Sequence, residues 1–101
     1  MVKIYGNIVS RTSRNLWMLE ELDIEHEHIS LDWINKEQLS PDYLKINPAG
    51  KVPTLVDGDI IISESIAINL YLAQKFSKNG LWPGNEKGQA ECLQWSFWAS
   101  S

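Results

Sequence analysis

Pro48 and Pro53 bracket the stretch Asn47-Pro48-Ala49-Gly50-Lys51-Val52-Pro53-Thr54-Leu55, and no other stretch limits this chain's fold as much. Asn47-Pro48 is a turn opener. Pro53 follows the β-branched Val52 and enters the apolar run Thr54-Leu55-Val56. It has no N–H to give a sheet ladder, so it belongs at a strand start or in a bulge. On these residues alone both isomers of the Val52–Pro53 bond stay open. Trans gives an ordinary edge strand and is the default, because cis is seen in only about 5–6% of X–Pro bonds. Cis would leave the Val52 N–H and C=O facing a cleft, where an extended peptide ligand can pair with them as an added strand.

The chain around this stretch alternates strand and helix signals. Val2-Lys3-Ile4-Tyr5 puts Val2 and Ile4 on one face, a short strand. Gly6-Asn7 ends it. Leu16, Leu19 and Leu22, with Met18, then form the stripe of an amphipathic helix that Ser10 or Thr12 can cap. His26 to Leu31 reads as a second strand, parallel to the first with a right-handed crossover. Ser40-Pro41-Asp42 starts a short helix that must stop before Asn47-Pro48. Thr54–Val56 and Asp59–Ile62 flank Asp57-Gly58, a strong hairpin signal. Ser63-Glu64-Ser65 opens a second long helix, with Ile66, Leu70 and Ala73 as its expected apolar stripe. Gly80 and Pro83-Gly84 mark a linker. A last helix starts near Glu86, with Ala90, Leu93 and Phe97 on one side. The layout is α/β, one four-stranded mixed sheet with flanking helices.

Charge and cysteine usage narrow the function classes. The net charge of −4 argues against nucleic acid and anionic membranes as partners. Cys92 is the one cysteine, so neither an internal disulfide nor a Cys-x-x-Cys motif is available, and Cys92 itself falls outside the expected cleft. His26 and His28 share a strand face without a visible third ligand, so no metal is expected. With no apolar leader and no membrane-length run, a cytoplasmic location is the expectation.

The stretch 47–55, followed by Glu64-Ser65-Ile66-Ala67-Ile68 and Tyr71-Leu72, resembles the amino-terminal domain of cytosolic glutathione S-transferases. Ser10 through Arg14, followed by Leu16-Trp17-Met18-Leu19-Glu20-Glu21-Leu22, resembles the serine-type members. The resemblance implies a thioredoxin-like domain over residues 1–78, a linker over 79–85 and, over 86–101, the first helix of an incomplete all-α domain. It also implies a cis Pro53, glutathione as co-substrate with no other cofactor, a homodimer, and a role in detoxification.

The chemistry of the residues suits that ligand. Val52, ahead of Pro53, would pair with the cysteinyl backbone. Glu64 would accept from the γ-glutamyl ammonium. Ser65, at a helix start, would hold the adjoining carboxylate on its N–H and hydroxyl. Lys51 would reach the glycyl carboxylate. Local sequence alone reads Glu64-Ser65 as capping and Lys51 as a solvated lysine. Ser10 is the catalytic candidate, donating a hydrogen bond to the thiolate, with Thr12 as a possible second donor. Lowering a thiol pKa by about 2 units takes about 2.7 kcal/mol. One hydrogen bond to a charged group supplies ~1.5–3 kcal/mol and a helix start ~0.3–1. The magnitudes suffice without a general base.

The thiolate would attack an unknown second substrate, an electrophile or a disulfide. Two other classes fit the same residues. One is a non-catalytic transferase-like interaction module, and the other is a glutathione-dependent disulfide reductase. Trp95, Phe97 and Trp98 would stay uncovered in an isolated monomer, which suggests a truncated form with weak activity or none.

Overall fold

The computed structural model describes residues 1–76 and 82–100, Ser100 by its backbone alone. Strand β1 (Val2–Tyr5) leads to helix α1 (Thr12–Glu21) and strand β2 (His26–Ile29). A single 3-10 turn (Glu37–Leu39) precedes helix α2 (Pro41–Ile46). Strands β3 (Thr54–Asp57) and β4 (Ile60–Ser63) form the hairpin, and helices α3 (Ser65–Lys75) and α4 (Glu86–Ser100) follow. The expected boundary between 78 and 79, Gly80 and the first part of the 79–85 linker fall outside the described residues.

The sheet order is β2-β1-β3-β4. β1 runs parallel to β2, with Val2 opposite His26, and antiparallel to β3, with Ile4 opposite Leu55. β3 and β4 are antiparallel, turning at Gly58 (φ +61). This is the thioredoxin-like layout that the resemblance implied.

One core holds it together. Val2, Ile4 and Leu55 of the sheet meet Leu19 from α1, Leu22 just past its end, and Ile68 and Leu72 from α3. Each such side chain contributes roughly 1.5–3 kcal/mol by burial. Tyr43 of α2 is buried too, its ring 5.8 Å from that of Tyr5.

Some expectations need correcting. The buried positions of α3 are Ser65, Ile68, Leu72 and Ala73, whereas Ile66 and Leu70 are only half-buried. A helix with apolar residues on several sides offers more than one stripe, and packing against α1 and the sheet decides between them. The start of α1 has Arg11 at its cap position and no side-chain cap. Ser10 Oγ instead accepts from the Thr12 N–H, a local turn that precedes the helix. β2 ends at Ile29 instead of Leu31. Ser40, by contrast, caps α2 as expected, accepting from the Tyr43 N–H at 3.2 Å.

Candidate functional site

Five of the six expected site residues line one cleft. Lys51, Val52, Pro53, Glu64 and Ser65 surround it together with Arg11, Asn47, Ala49 and Ser63, and its volume is about 170 Å³. It lies where the α2–β3 connection faces the start of α3.

The Val52–Pro53 peptide is cis. Val52 lies outside both strands of the hairpin, and among the described residues neither its N–H nor its C=O has a hydrogen-bond partner. An unpaired backbone pair on a cleft wall is an open strand edge.

The wall is built from behind by a buried polar cluster. Tyr43 Oη donates to the Lys51 C=O at 2.6 Å and lies 2.8 Å from Thr54 Oγ1. Asn47 Nδ2 reaches the same two atoms, at 3.0 and 3.1 Å. Burial raises the Tyr43 pKa, and its hydrogen bonds to Thr54 and Asn47 pull it back in part, so the phenol stays a neutral donor. Tyr43 and Asn47 thus fix the Lys51 backbone while its side chain stays exposed.

The opposite wall begins at Glu64, which carries φ +75 and ψ 118. That conformation is strained for a residue with a Cβ, and such strain clusters at ligand sites. Glu64 occupies the cap position of α3 without capping it, so its carboxylate stays exposed beside the cleft. Ser65 opens the helix and is 6% exposed.

Ser10 stands apart, in the β1–α1 connection. Its hydroxyl is half-buried and is not part of the cleft lining. Ser10 Oγ lies 2.6 Å from the Asn7 C=O and 2.8 Å from Thr12 Oγ1, and accepts from the Thr12 N–H at 3.2 Å. Ser10 Oγ carries one proton, and the Asn7 C=O and Thr12 Oγ1 both face it as acceptors. The Thr12 N–H that donates to Ser10 Oγ makes the Ser10 proton a stronger donor. Thr12 is fully buried, which places it behind Ser10 instead of beside a ligand.

Arg11 is the lining residue that the sequence did not point to. Its signal is chemical: a ligand with two carboxylates calls for two cations, and Lys51 is one. His26 and His28 are taken by backbone. His26 Nδ1 lies 2.8 Å from the Ile24 C=O, and His28 Nε2 lies 2.6 Å from the Gly6 C=O. Cys92 is half-buried on α4.

Comparison with known proteins bears on this geometry. Residues 1–74 match the family described as "Glutathione S-transferase, N-terminal domain". Glutathione S-transferase F10 of Arabidopsis thaliana is 38% identical over 94% of this chain and 45% of its own length. The crystal structure of glutathione transferase F2 from Populus trichocarpa superimposes with a TM-score of 0.87 at 37% identity, over 94% of this chain and 46% of that one. A glutathione transferase homologue from Sulfitobacter, solved with bound glutathione, gives 0.88 at 29% identity over 100% of this chain and 49% of its own. The chain therefore spans less than half the length of these relatives.

Proposed function

Because this chain belongs to the glutathione S-transferase family, by the N-terminal domain of that family, we propose that its cleft binds glutathione and that Ser10 stabilises the bound thiolate. The observation that carries this reading is the match of charges and backbone in one cleft. Glutathione brings two carboxylates, one ammonium and an extended backbone. The cleft brings two cations, Arg11 and Lys51, one carboxylate, Glu64, and the open strand edge at Val52. The whole chain is acidic, so a local excess of cations is not a property of the surface at large.

In this reading the cysteinyl backbone pairs with Val52. The γ-glutamyl ammonium sits on Glu64, and its carboxylate on Ser65 and Arg11. Lys51 takes the glycyl carboxylate. The thiol then lies toward the β1–α1 connection, where Ser10 exchanges Asn7 for sulfur as its acceptor. The thiol proton passes to water and no protein base is needed, since the hydrogen bond favours the ionised thiol directly. The thiolate attacks an electrophilic centre of the second substrate, as in detoxification. The working form of the whole protein is read as a cytoplasmic homodimer, in keeping with the exposed Trp95, Phe97 and Trp98 on α4.

Titration of the chain with glutathione, followed by calorimetry and by thiolate absorbance against pH, tests this. Binding with a thiol pKa below the free value of about 8.5 is expected. Absence of binding, or binding with the free thiol pKa, removes the ligand or the thiolate half of the reading respectively.

A further inference from the structure

Ser10 precedes α1, and Glu64-Ser65 opens α3. A ligand held at both places needs the two helices at a fixed separation. Apolar packing between α1 and α3 is tolerant of small slides, but a hydrogen bond is not.

Asn15, on α1, is fully buried. Its Nδ2 donates to the Ser65 C=O at 2.9 Å and to Asn69 Oδ1 at 2.8 Å. Asn69 Nδ2 in turn donates to the Arg14 C=O at 3.4 Å, which fixes which end of the Asn69 amide is the acceptor. With two acceptors facing it, the Asn15 amide has one orientation, nitrogen toward α3. Its Oδ1 is then buried with no partner among the described residues.

That orphan oxygen is the informative feature. A leucine has nearly the same size and would bury no orphan oxygen of its own, in a place where Leu19 of the same helix already packs into the core, and the Asn69 Oδ1 it would release belongs to a half-buried residue that water can reach. The amide is therefore poorly explained as a stability device. What it adds is a directional link to the backbone of the residue that begins α3.

We propose that Asn15 is a positioning residue for glutathione. It holds the Ser65 backbone at a set distance from α1, and so sets the span between the sulfur donor Ser10 and the γ-glutamyl end of the site. The proposal rests on the glutathione reading above. Pre-setting that span lowers the ordering cost at the moment of binding. Asn15 touches no ligand itself.

The test compares wild type, Asn15→Leu and Asn69→Ala, each titrated with glutathione, with thiolate absorbance followed against pH and thermal midpoints measured on the same samples. Asn15→Leu is expected to weaken glutathione on the order of tenfold, the scale of one well-directed hydrogen bond. It should keep the bound-thiol pKa of wild type, since Ser10 and its partners are untouched, and should melt close to wild type. Asn69→Ala spares the Asn15–Ser65 bond and is expected to bind as wild type does. Wild-type affinity in Asn15→Leu overturns the proposal, and so does a loss of affinity that tracks the thermal midpoint in both variants. Asn15→Ser, whose hydroxyl is too short to reach α3, is read in the same way if leucine is not accommodated. Wild type failing to bind removes the glutathione reading and this proposal with it, whereas wild-type binding with an unaffected Asn15→Leu removes this proposal alone.

Discussion

The side-chain amide of Asn7 grips both backbone groups of Leu31: Nδ2 donates to the Leu31 C=O and Oδ1 accepts from the Leu31 N–H, each at 2.9 Å. This clasp ties the β1–α1 connection to the exit of β2. The Asn7 C=O is also the acceptor that faces Ser10 Oγ at 2.6 Å. Asn7→Ala deletes two half-buried hydrogen bonds and is expected to cost about 2 kcal/mol in urea unfolding. It should also raise the bound-thiol pKa, because the connection that carries Ser10 loses its anchor. A stability loss with an unchanged thiol pKa would separate the clasp from the chemistry.

Ser10→Ala removes the proposed donor and leaves the cleft lining intact. The bound-thiol pKa is expected to rise by about 1–2 units, the equivalent of one hydrogen bond to a charged group. Glutathione affinity well below that pKa should change little. Thiolate absorbance against pH reads both. An unmoved pKa would shift the role of donor away from Ser10.

The layout was legible in the sequence wherever local chemistry and tertiary packing ask for the same thing. Ser40-Pro41 and Asp57-Gly58 fix their own backbone, and the helix and hairpin are found where they signal them. Lys51 to Pro53 and Glu64-Ser65 line one cleft. The buried face of α3 was not legible. Ile66, Ile68, Leu70 and Leu72 are all apolar, and only packing against α1 and the sheet selects Ile68 and Leu72. Asn15 was invisible for a related reason. A lone Asn within a leucine stripe carries no sign that its partner is a carbonyl fifty residues away.

Gly6 sits at φ +142, and a Cβ there would lie 1.9 Å from Thr12 Oγ1 and 2.9 Å from Thr12 Cβ. Backbone strain and overlap therefore act together in Gly6→Ala, with an expected cost of about 2–4 kcal/mol. Thr12 is the residue that backs Ser10, so the overlap also disturbs the proposed donor. Adding Thr12→Ala removes the closest overlap but not the strain. The double variant should regain part of the stability in thermal unfolding and none of the thiol activation.

Asp57 joins β3 to α3 by accepting from Lys75 Nζ and, at 2.6 Å, from Tyr71 Oη. The Lys75 hydrogen bond, then that of Tyr71, lowers the Asp57 pKa from its ordinary 3.8. The same bond to Asp57, followed by that to Tyr71, raises the Lys75 pKa from 10.5. The Asp57 contribution is therefore complete above 3.8 and is lost as pH falls through the lower folded value. The Lys75 contribution is complete below 10.5 and is lost as pH rises through the higher folded value. Asp57→Asn is expected to be less stable than wild type at neutral pH by a modest margin, since the pair is solvent-screened. The gap should close in acid well below pH 3.8. Urea unfolding at the two pH values measures it, and an equal gap at both would mean that charge is not the cause.

Tyr43→Phe tests the other side of the cleft. The phenol is 3% exposed and holds the Lys51 C=O at 2.6 Å and Thr54 Oγ1 at 2.8 Å. Both atoms keep Asn47 Nδ2 as a partner, so neither is orphaned by the change, and the expected stability cost is only about 1–2 kcal/mol. The larger effect should fall on glutathione affinity, because the Lys51 backbone sets the position of the open edge at Val52. The bound-thiol pKa should hold, since Ser10 hangs on a different connection with its own anchor at Asn7. Asn7→Ala and Tyr43→Phe thus have comparable stability costs and opposite signatures in one titration: the first moves the pKa, the second the affinity. If both variants move both quantities together, the two walls are one cooperative unit, and the division of labour between thiol activation and peptide binding does not hold.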